Sequence, residues 1–339
     1  MSSGITTRIS VEQMLILGLQ GSPRKKGNSA TLLNQFMREA EARGKGIRTH
    51  IVDIARCKVL PCAEIGTCET NGTCPIKDDM QAEIFGLLRE ADLIIAATPV
   101  FFYNMTAQLK ALVDRCQTLW SRKYRLQLKD PGFRQRQGLL LSVAATRGKN
   151  LFEAIDLSIR YFYDAIDAKY AGSLTYRGIE KKGEMAAHPE MEVDVARMVQ
   201  TVLKPLAGRK RILFAGHKND CYSQMAAAFA RQLGGDGVDA LSAGREPATA
   251  MDPKAEKVMA EVGIDLAYAR PRGLETAVTQ HCPDRIVVLD NAPLDLNTQK
   301  VSMTHWRLDT RDQPTLDFLR KMRDAVRIYV EQFLDEAVH

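Results

Sequence analysis

No run of about eighteen consecutive apolar residues occurs anywhere in the 339 positions, so no segment reads as a membrane-spanning helix. The first thirteen residues hold neither an apolar core nor a small-residue cleavage site, which gives no sign of a secretory leader. A dense basic stripe is missing as well. Net charge is only +6. Residues up to 208 carry 29 Lys and Arg against 22 Asp and Glu, and the remainder 18 against 19. So small an excess over so much surface does not call for a nucleic acid. The expectation is a soluble, cytoplasmic chain that engages neither membrane nor nucleic acid. Two common phosphate-binding spacings are also absent. Gly21 and Gly27 have five residues between them, with Asn28 where a triphosphate loop needs lysine, and Gly18 and Gly21 do not make Gly-x-Gly-x-x-Gly.

What is present is GSPRKKGNS at 21–29, set between an apolar strand-like run at 14–19 and an amphipathic helical run at 30–43. A strand that turns sharply into a helix gathers unpaired N–H groups and the positive end of the helix dipole in one small volume. The hydroxyls of Ser22, Ser29 and Thr31, the Asn28 amide and the Arg24 guanidinium line that turn, and arginine grips a dianion with two bonds at once. The competing reading is a tight turn with a basic, solvated lip.

At roughly twice the length of a typical domain, the chain is expected to form two. Strand-like runs at 14–19, 47–54, 92–97, 138–144 and 169–175 alternate with helical patterns at 30–43, 80–90, 106–120, 150–167 and 190–204. That alternation describes an α/β, doubly wound, five-stranded parallel sheet over residues 1–206. Ligands sit at the carboxyl ends of such strands, where the strand order reverses. The loops leaving those ends are the phosphate loop, TPVFFYN at 98–104 and ATRGK at 145–149. The second offers aromatic surface for a flat ring. The third offers Arg147 and Lys149 as candidates to stabilise negative charge, with ordinary exposed loop residues as the equal alternative.

Four separated pieces, GSPRxxxNS at 21–29, CPIKDDM at 74–80, TPVFFYNMTAQLKALVDR at 98–115 and KGE at 182–184, make this region resemble the NADPH-dependent FMN reductase and iron–sulfur flavoprotein group, which is flavodoxin-like. The resemblance covers roughly 13–205. It implies that Ser22, Arg24, Asn28, Ser29 and Thr31 hold the FMN phosphate. It also implies that Pro99, Val100, Phe101, Phe102 and Asn104, with Thr146 and Arg147, border the isoalloxazine ring, although either phenylalanine is equally compatible with core packing after a strand. NADH or NADPH would be the co-substrate, and a small molecule or a protein the electron acceptor.

Seven cysteines is an odd number, and Cys57, Cys62, Cys68 and Cys74 crowd into one loop, which in a reducing compartment points to metal or redox chemistry before disulfides. Iron–sulfur members of the group resemble Cys-x2-Cys-x2-Cys-x5-Cys, but the register here reads Cys62, Ile65, Cys68, Cys74. An intact cluster is therefore not expected. Cys57 sits outside the motif beside Val59 and Leu60. The surviving thiols Cys62, Cys68 and Cys74 would line a subunit contact in a homo-oligomer or remain free. Residues 115–136 carry seven basic residues against one acid, Asp130, and read as a solvated excursion or as a basic lip for an NADPH phosphate or an acidic partner.

A Pro-Leu-Ala-Gly joint at 205–208 opens a second, smaller domain, 209–339. A strand at 211–216 leads through HKNDCYSQM into a helix, followed by 241–247, 252–255, a strand-like run at 285–290, 305–309 and a closing helix from Pro314. This resembles the low-molecular-weight tyrosine phosphatase and arsenate reductase family, whose cysteine thiolate attacks from a Cys-x5-Arg loop. Gly216 stands at the cysteine position and Tyr222 at the arginine position, while Asn219, Ser223 and Asp309 remain. Cys221 has Ala227 six residues on and cannot take over. The resemblance implies an inactive, pseudophosphatase domain. Overall the chain is expected to be an FMN-dependent NAD(P)H oxidoreductase. The rivals are an iron–sulfur-type electron carrier, and a flavin-sensing regulator whose second domain binds a partner.

Overall fold

A computed structural model describes residues 14–44, 46–289, 301–309 and 314–338. The chain divides into two compact units, Met1–Ser121 with Arg136–Gly208, and Arg122–Gln135 with Arg209–His339. No helix among the described residues is long and apolar enough to cross a membrane.

The first unit contains β1 (Met14–Gln20), β2 (Ile47–Asp53), β3 (Leu93–Pro99), β4 (Gln137–Ala144) and β5 (Lys169–Arg177), all parallel in the order β2-β1-β3-β4-β5. Its helices are α1 (Asn28–Arg43), α2 (Thr67–Asn71), α3 (Phe85–Glu90), α4 (Ala107–Arg115), α5 (Gln117–Tyr124), within which the division of units falls, α6 (Glu153–Ala165) and α7 (Met191–Leu203). Helices on both faces explain why β1, β3 and β4 are near-continuous apolar runs and do not alternate. This is the flavodoxin-like order, whose switch point lies between β1 and β3. One helix expected over 106–120 is in fact two. Cys116 closes α4 by giving its N–H to Leu112 O at 3.2 Å and Val113 O at 3.0 Å. The helix expected from residue 80 begins as a π turn, Met80–Ile84.

A buried tyrosine ties the middle of this sheet. Tyr163 on α6 accepts the Ala96 N–H at 3.1 Å and shares its own proton between Leu139 O at 2.6 Å and Ile94 O at 3.0 Å. Burial pushes its phenol far above the usual value, so it stays neutral. Its ring occupies the space beside Gly138, where an added Cβ would stand 2.6 Å from Tyr163 Cε1. A close-packed interior cannot absorb that methyl without moving the ring off its three backbone partners. Gly138→Ala is therefore expected to cost about 1–3 kcal/mol. A urea midpoint lowered at unchanged slope would verify it, and an unchanged midpoint would refute it.

The second unit contains β6 (Lys210–Gly216), β7 (Val238–Gly244), β8 (Arg285–Val288) and β9 (Ser302–His305), parallel in the order β7-β6-β8-β9. With them go α8 (Tyr222–Gly234), α9 (Pro253–Ala260), α10 (Leu274–His281) and α11 (Leu316–Val338). Phe214, Met225, Phe229, Trp306, Leu319, Val326 and Phe333 form its main core. The strand expected over 285–290 ends at Val288, and Asp290 lies outside the described residues.

The basic stretch 115–136 is solvated only in part, at the exposed Arg125, Lys129 and Arg134. Arg115, Arg122 and Arg136 are buried. Arg136 spends its guanidinium on the carbonyls of Ala91 (3.1 Å), Ile166 (3.1 Å) and Arg89 (2.6 Å). Residues 122–135, expected in the first domain, group with the second unit. Arg122 makes a forked, buried pair with Asp265, with Nε–Oδ2 at 2.9 Å and Nη2–Oδ1 at 2.9 Å. The Lys129 N–H donates to Gly263 O and the Asp265 N–H to Lys129 O, both at 2.9 Å, and Gln135 donates to Gly235 O at 2.7 Å.

Candidate functional site

The site begins where β1 ends. The Gly21 N–H donates to Ala97 O at 2.8 Å, and the Thr106 hydroxyl donates to Gly21 O at 2.5 Å, which fixes the start of the loop against β3 and α4. Ser22 and Ser29 are buried while Arg24, Lys25 and Lys26 are exposed. α1 starts at Gly27 with no side-chain cap and no acid in its first turn, which leaves its leading N–H groups for an anion. A Cβ on Gly27 would come within 3.1 Å of Arg24 Cβ and 3.6 Å of Ser22 Oγ, so glycine keeps this cradle open. Buried hydroxyls and the leading amides of α1 around one hollow, with the exposed Arg24 in the same loop, fit a phosphomonoester.

Two expected phosphate ligands are otherwise engaged. The Asn28 amide donates to Lys181 O at 2.9 Å, and its Oδ1 accepts from the N–H groups of Gly183 (3.2 Å) and Met185 (3.3 Å). The Thr31 hydroxyl turns back to Gly27 O at 3.3 Å. This explains the KGE piece of the sequence. The Glu184 carboxylate accepts from the Glu180 and Lys181 N–H groups at 2.6 and 2.8 Å, and Asn28 binds the resulting loop to the head of α1.

Residues 99–104 leave β3 as a hairpin. The Val100 N–H donates to Val143 O at 2.9 Å, and Phe101 and Asn104 exchange backbone bonds of 2.8 and 2.9 Å. The Asn104 side chain caps the Met105 N–H at 2.8 Å. In the 145–149 loop, Thr146, Arg147 and Lys149 are exposed. The Arg147 guanidinium lies over Gly178, and Arg177 holds the loop through Gly148 O at 3.1 Å.

The cysteine loop is organised around a buried ion pair. Arg115, with no exposed side-chain surface, forms a forked pair with Asp78 (Nη1–Oδ2 2.6 Å, Nη2–Oδ1 3.2 Å) and also donates to Leu60 O at 3.0 Å and Ile76 O at 3.3 Å. Asp78 in turn accepts the N–H groups of Leu60 and Met80. Burial alone would raise the Asp78 carboxyl, but the guanidinium and backbone N–H groups hold it below the usual value. Cys57 is half-buried, its thiol pushed up by burial and by Asp79, Glu83 and Asp53. Ile65 is 56% exposed, and among the described residues no three His, Cys, Asp or Glu side chains converge on a point that would hold a metal. The residues present do not fit a four-thiolate cluster. DD at 78–79 and DR at 114–115 were visible in the sequence as motif letters, but their pairing was not.

In the second unit, the carbonyls of Gly216, His217, Lys218 and Asp220 are taken by the N–H groups of Arg245, Glu246, Ala248 and Asp252 at 2.9–3.1 Å. Across a trans peptide the next N–H points the opposite way, so the amides of 217–219 and 221 face the other side, as in an anion cradle. Asn219, at φ +55°, donates to Ser223 Oγ and accepts the Arg272 N–H, each at 2.9 Å. A Cβ on Gly244 would stand 2.6 Å from His217 O, so the loop needs glycine beneath it. Gly216 has no thiol, Tyr222 packs on the apolar core, and burial with Asp252 and Asp220 nearby pushes the Cys221 thiol far above its ordinary value.

Residues 14–154 match the family model for NADPH-dependent FMN reductase, and residues 211–310 that for low molecular weight phosphotyrosine protein phosphatase. An iron-sulfur flavoprotein of Archaeoglobus fulgidus is 39% identical over 102 residues, 30% of this chain and 45% of that protein. Another, from Methanosarcina thermophila, is 39% identical over 134 residues, 40% of this chain and 65% of that protein. A glutaredoxin arsenate reductase of Synechocystis sp. is 30% identical over 131 residues, 37% of this chain and 96% of that protein. The chain spans about half the length of the first iron-sulfur flavoproteins that it matches.

Proposed function

We propose that this chain, which joins a region of the NADPH-dependent FMN reductase family to one of the low molecular weight phosphotyrosine protein phosphatase family, is an FMN-dependent NAD(P)H oxidoreductase whose second unit has lost phosphatase chemistry. The observation that carries the first half is the uncapped head of α1 beside Ser22, Ser29 and Arg24 at the β1–β3 switch point. When bound, FMN would supply the redox chemistry, taking a hydride from reduced nicotinamide and passing two electrons on to an acceptor. The protein binds and orients. Ser22, Ser29, Arg24 and the α1 amides would hold the phosphate, Pro99 to Asn104 and Thr146 would border the ring, and Arg147 or Lys149 would stabilise negative charge there. A cluster-based electron carrier is the weaker reading, because Ile65 replaces a thiolate and the remaining thiols do not converge.

Arg24 supplies a charge-assisted, two-pronged contact worth roughly 1.5–3 kcal/mol. Arg24→Ala is therefore expected to weaken FMN binding about ten- to a hundredfold with the fold intact, as read by flavin fluorescence on titrating apoprotein. Unchanged affinity would remove the phosphate assignment. For the second unit, a nucleophile and its oxyanion-binding arginine act together, so the loss of both is expected to leave no turnover of p-nitrophenyl phosphate and no arsenate reduction. Phosphatase activity that survives both Cys221→Ser and Asp309→Asn would overturn that half of the proposal.

A further inference from the structure

The cysteine loop takes no part in the proposed function, and its two legs mirror each other. The outgoing leg reads Leu60-Pro61-Cys62 and the returning leg Cys74-Pro75-Ile76. One guanidinium clamps both, since Arg115 donates to Leu60 O at 3.0 Å and to Ile76 O at 3.3 Å. A loop whose ends are held together sends its legs out in opposite chain directions, so Cys62 and Cys74 each stand two residues beyond the clamp, on opposite legs of the mouth. Proline fixes its own φ and biases the residue before it toward extended backbone, which makes each leg a stiff step. Cys68 lies further out, on α2, where its carbonyl accepts the Gly72 N–H at 3.1 Å and the Thr67 hydroxyl reaches Thr73 O at 3.4 Å.

The two thiols at the mouth differ in their surroundings. Burial alone would lower the Arg115 guanidinium, but Asp78 and the Cys74 sulfur, to which it also donates, raise it. Cys74 therefore sits half-buried against a fixed cation whose own side chain has no exposed surface. A thiolate is the attacking form of cysteine, and a neighbouring guanidinium favours it. Cys62 is exposed. The remaining thiols of this unit are poorly suited to exchange. Cys57 is pushed up by burial and by Asp79, Glu83 and Asp53, and Cys116 is buried. An attacking thiol beside a cation, with an accessible second thiol across a closed mouth, is the arrangement of thiol–disulfide exchange, in which the first sulfur forms a mixed disulfide and the second resolves it.

We propose that Cys74 and Cys62 are a thiol–disulfide exchange pair whose substrate is a small-molecule disulfide. This does not depend on the flavin reading. Cys74 gives up its proton and attacks one substrate sulfur. The substrate S–S bond breaks, and the departing sulfur takes that proton and leaves as a thiol. Cys62 then gives up its proton and attacks Cys74 Sγ, and the second half of the substrate leaves with that proton as a thiol. Two protein thiols are oxidised to one disulfide, and one substrate disulfide is reduced to two thiols.

The test uses the full-length protein with its thiols reduced, equilibrated anaerobically in mixtures of reduced and oxidised glutathione. Free thiols are then blocked, disulfide-linked peptides are mapped by mass spectrometry, and metal content is measured on the same sample. A Cys62–Cys74 link is expected, and Cys68→Ser should leave it in place. Cys62→Ser should accumulate glutathione on Cys74, because nothing resolves it. Cys74→Ser should remove the link and slow the uptake of glutathione by the loop roughly tenfold. Thermal midpoints are compared with wild type, and Cys74→Ala replaces Cys74→Ser where the hydroxyl lowers the midpoint. A principal link to Cys68 or Cys57, glutathione spread evenly over Cys62, Cys68 and Cys74, or no reaction overturns the proposal. So does a stoichiometric metal that shields these thiols.

Discussion

Asp78→Ala is expected to destabilise the first unit by about 3–5 kcal/mol, because it leaves the Arg115 guanidinium buried without its counter-charge. The carboxylate does more than pair. It takes the Leu60 and Met80 N–H groups, while Arg115 takes the carbonyls of Leu60 and Ile76, so one ion pair closes both ends of the cysteine loop. Its loss should also open that loop, and Cys62, Cys68 and Cys74 should react faster with a thiol reagent under native conditions. The pH dependence has a definite sign. The folded-state pKa of Asp78 is depressed, so its contribution is complete above the unfolded carboxylate value of about 3.9 and is lost as pH falls below that toward the folded value. Urea unfolding of wild type and Asp78→Ala between neutral and acid pH should therefore converge at the acid end. A variant that unfolds with the wild-type midpoint at neutral pH would show that the pair contributes nothing.

The second large effect concerns where the second unit ends. A fragment cut at the apparent joint, 209–339, is expected to be unfolded or only marginally stable, because it lacks 122–135. That cut strands the Asp265 carboxylate, fully buried and paired with Arg122, at a cost of about 3–5 kcal/mol, and it removes the Lys129 and Gln135 bonds as well. Typical domain stability is only about 5–15 kcal/mol. Adding a peptide of residues 122–135, or fusing it ahead of residue 209 through a flexible linker, should recover a cooperative thermal transition. The isolated 209–339 fragment melting like the intact protein would refute this. The intact chain carrying Asp265→Ala offers a check that does not depend on cutting, with a loss of similar size.

Much of the architecture was legible in the sequence because it is written in local patterns. Near-continuous apolar runs marked β1, β3 and β4 as strands covered on both faces, and GSPRKKGNS marked the strand-to-helix turn between β1 and α1. The missing thiol at Gly216 and the missing arginine at Tyr222 needed only the motif register. Partnerships between distant residues left no such mark. Asn28, counted among the phosphate ligands, spends its amide on residues 181–185, more than 150 positions away. The basic residues of 115–136 looked like a solvated run because composition carries no information on burial. Tertiary structure leaves Arg125, Lys129 and Arg134 exposed but buries Arg115 against Asp78, Arg122 against Asp265 and Arg136 among carbonyls. A charge is tolerated inside only where folding delivers its partner. The sequence by itself thus determined the strand succession of the first unit, the strand-to-helix turn at 21–29, and that glycine and tyrosine stand at 216 and 222. Only the tertiary structure decided which cations are structural, to which unit residues 122–135 belong, and that Phe102 stands in water, since each depends on contacts between segments far apart in the chain.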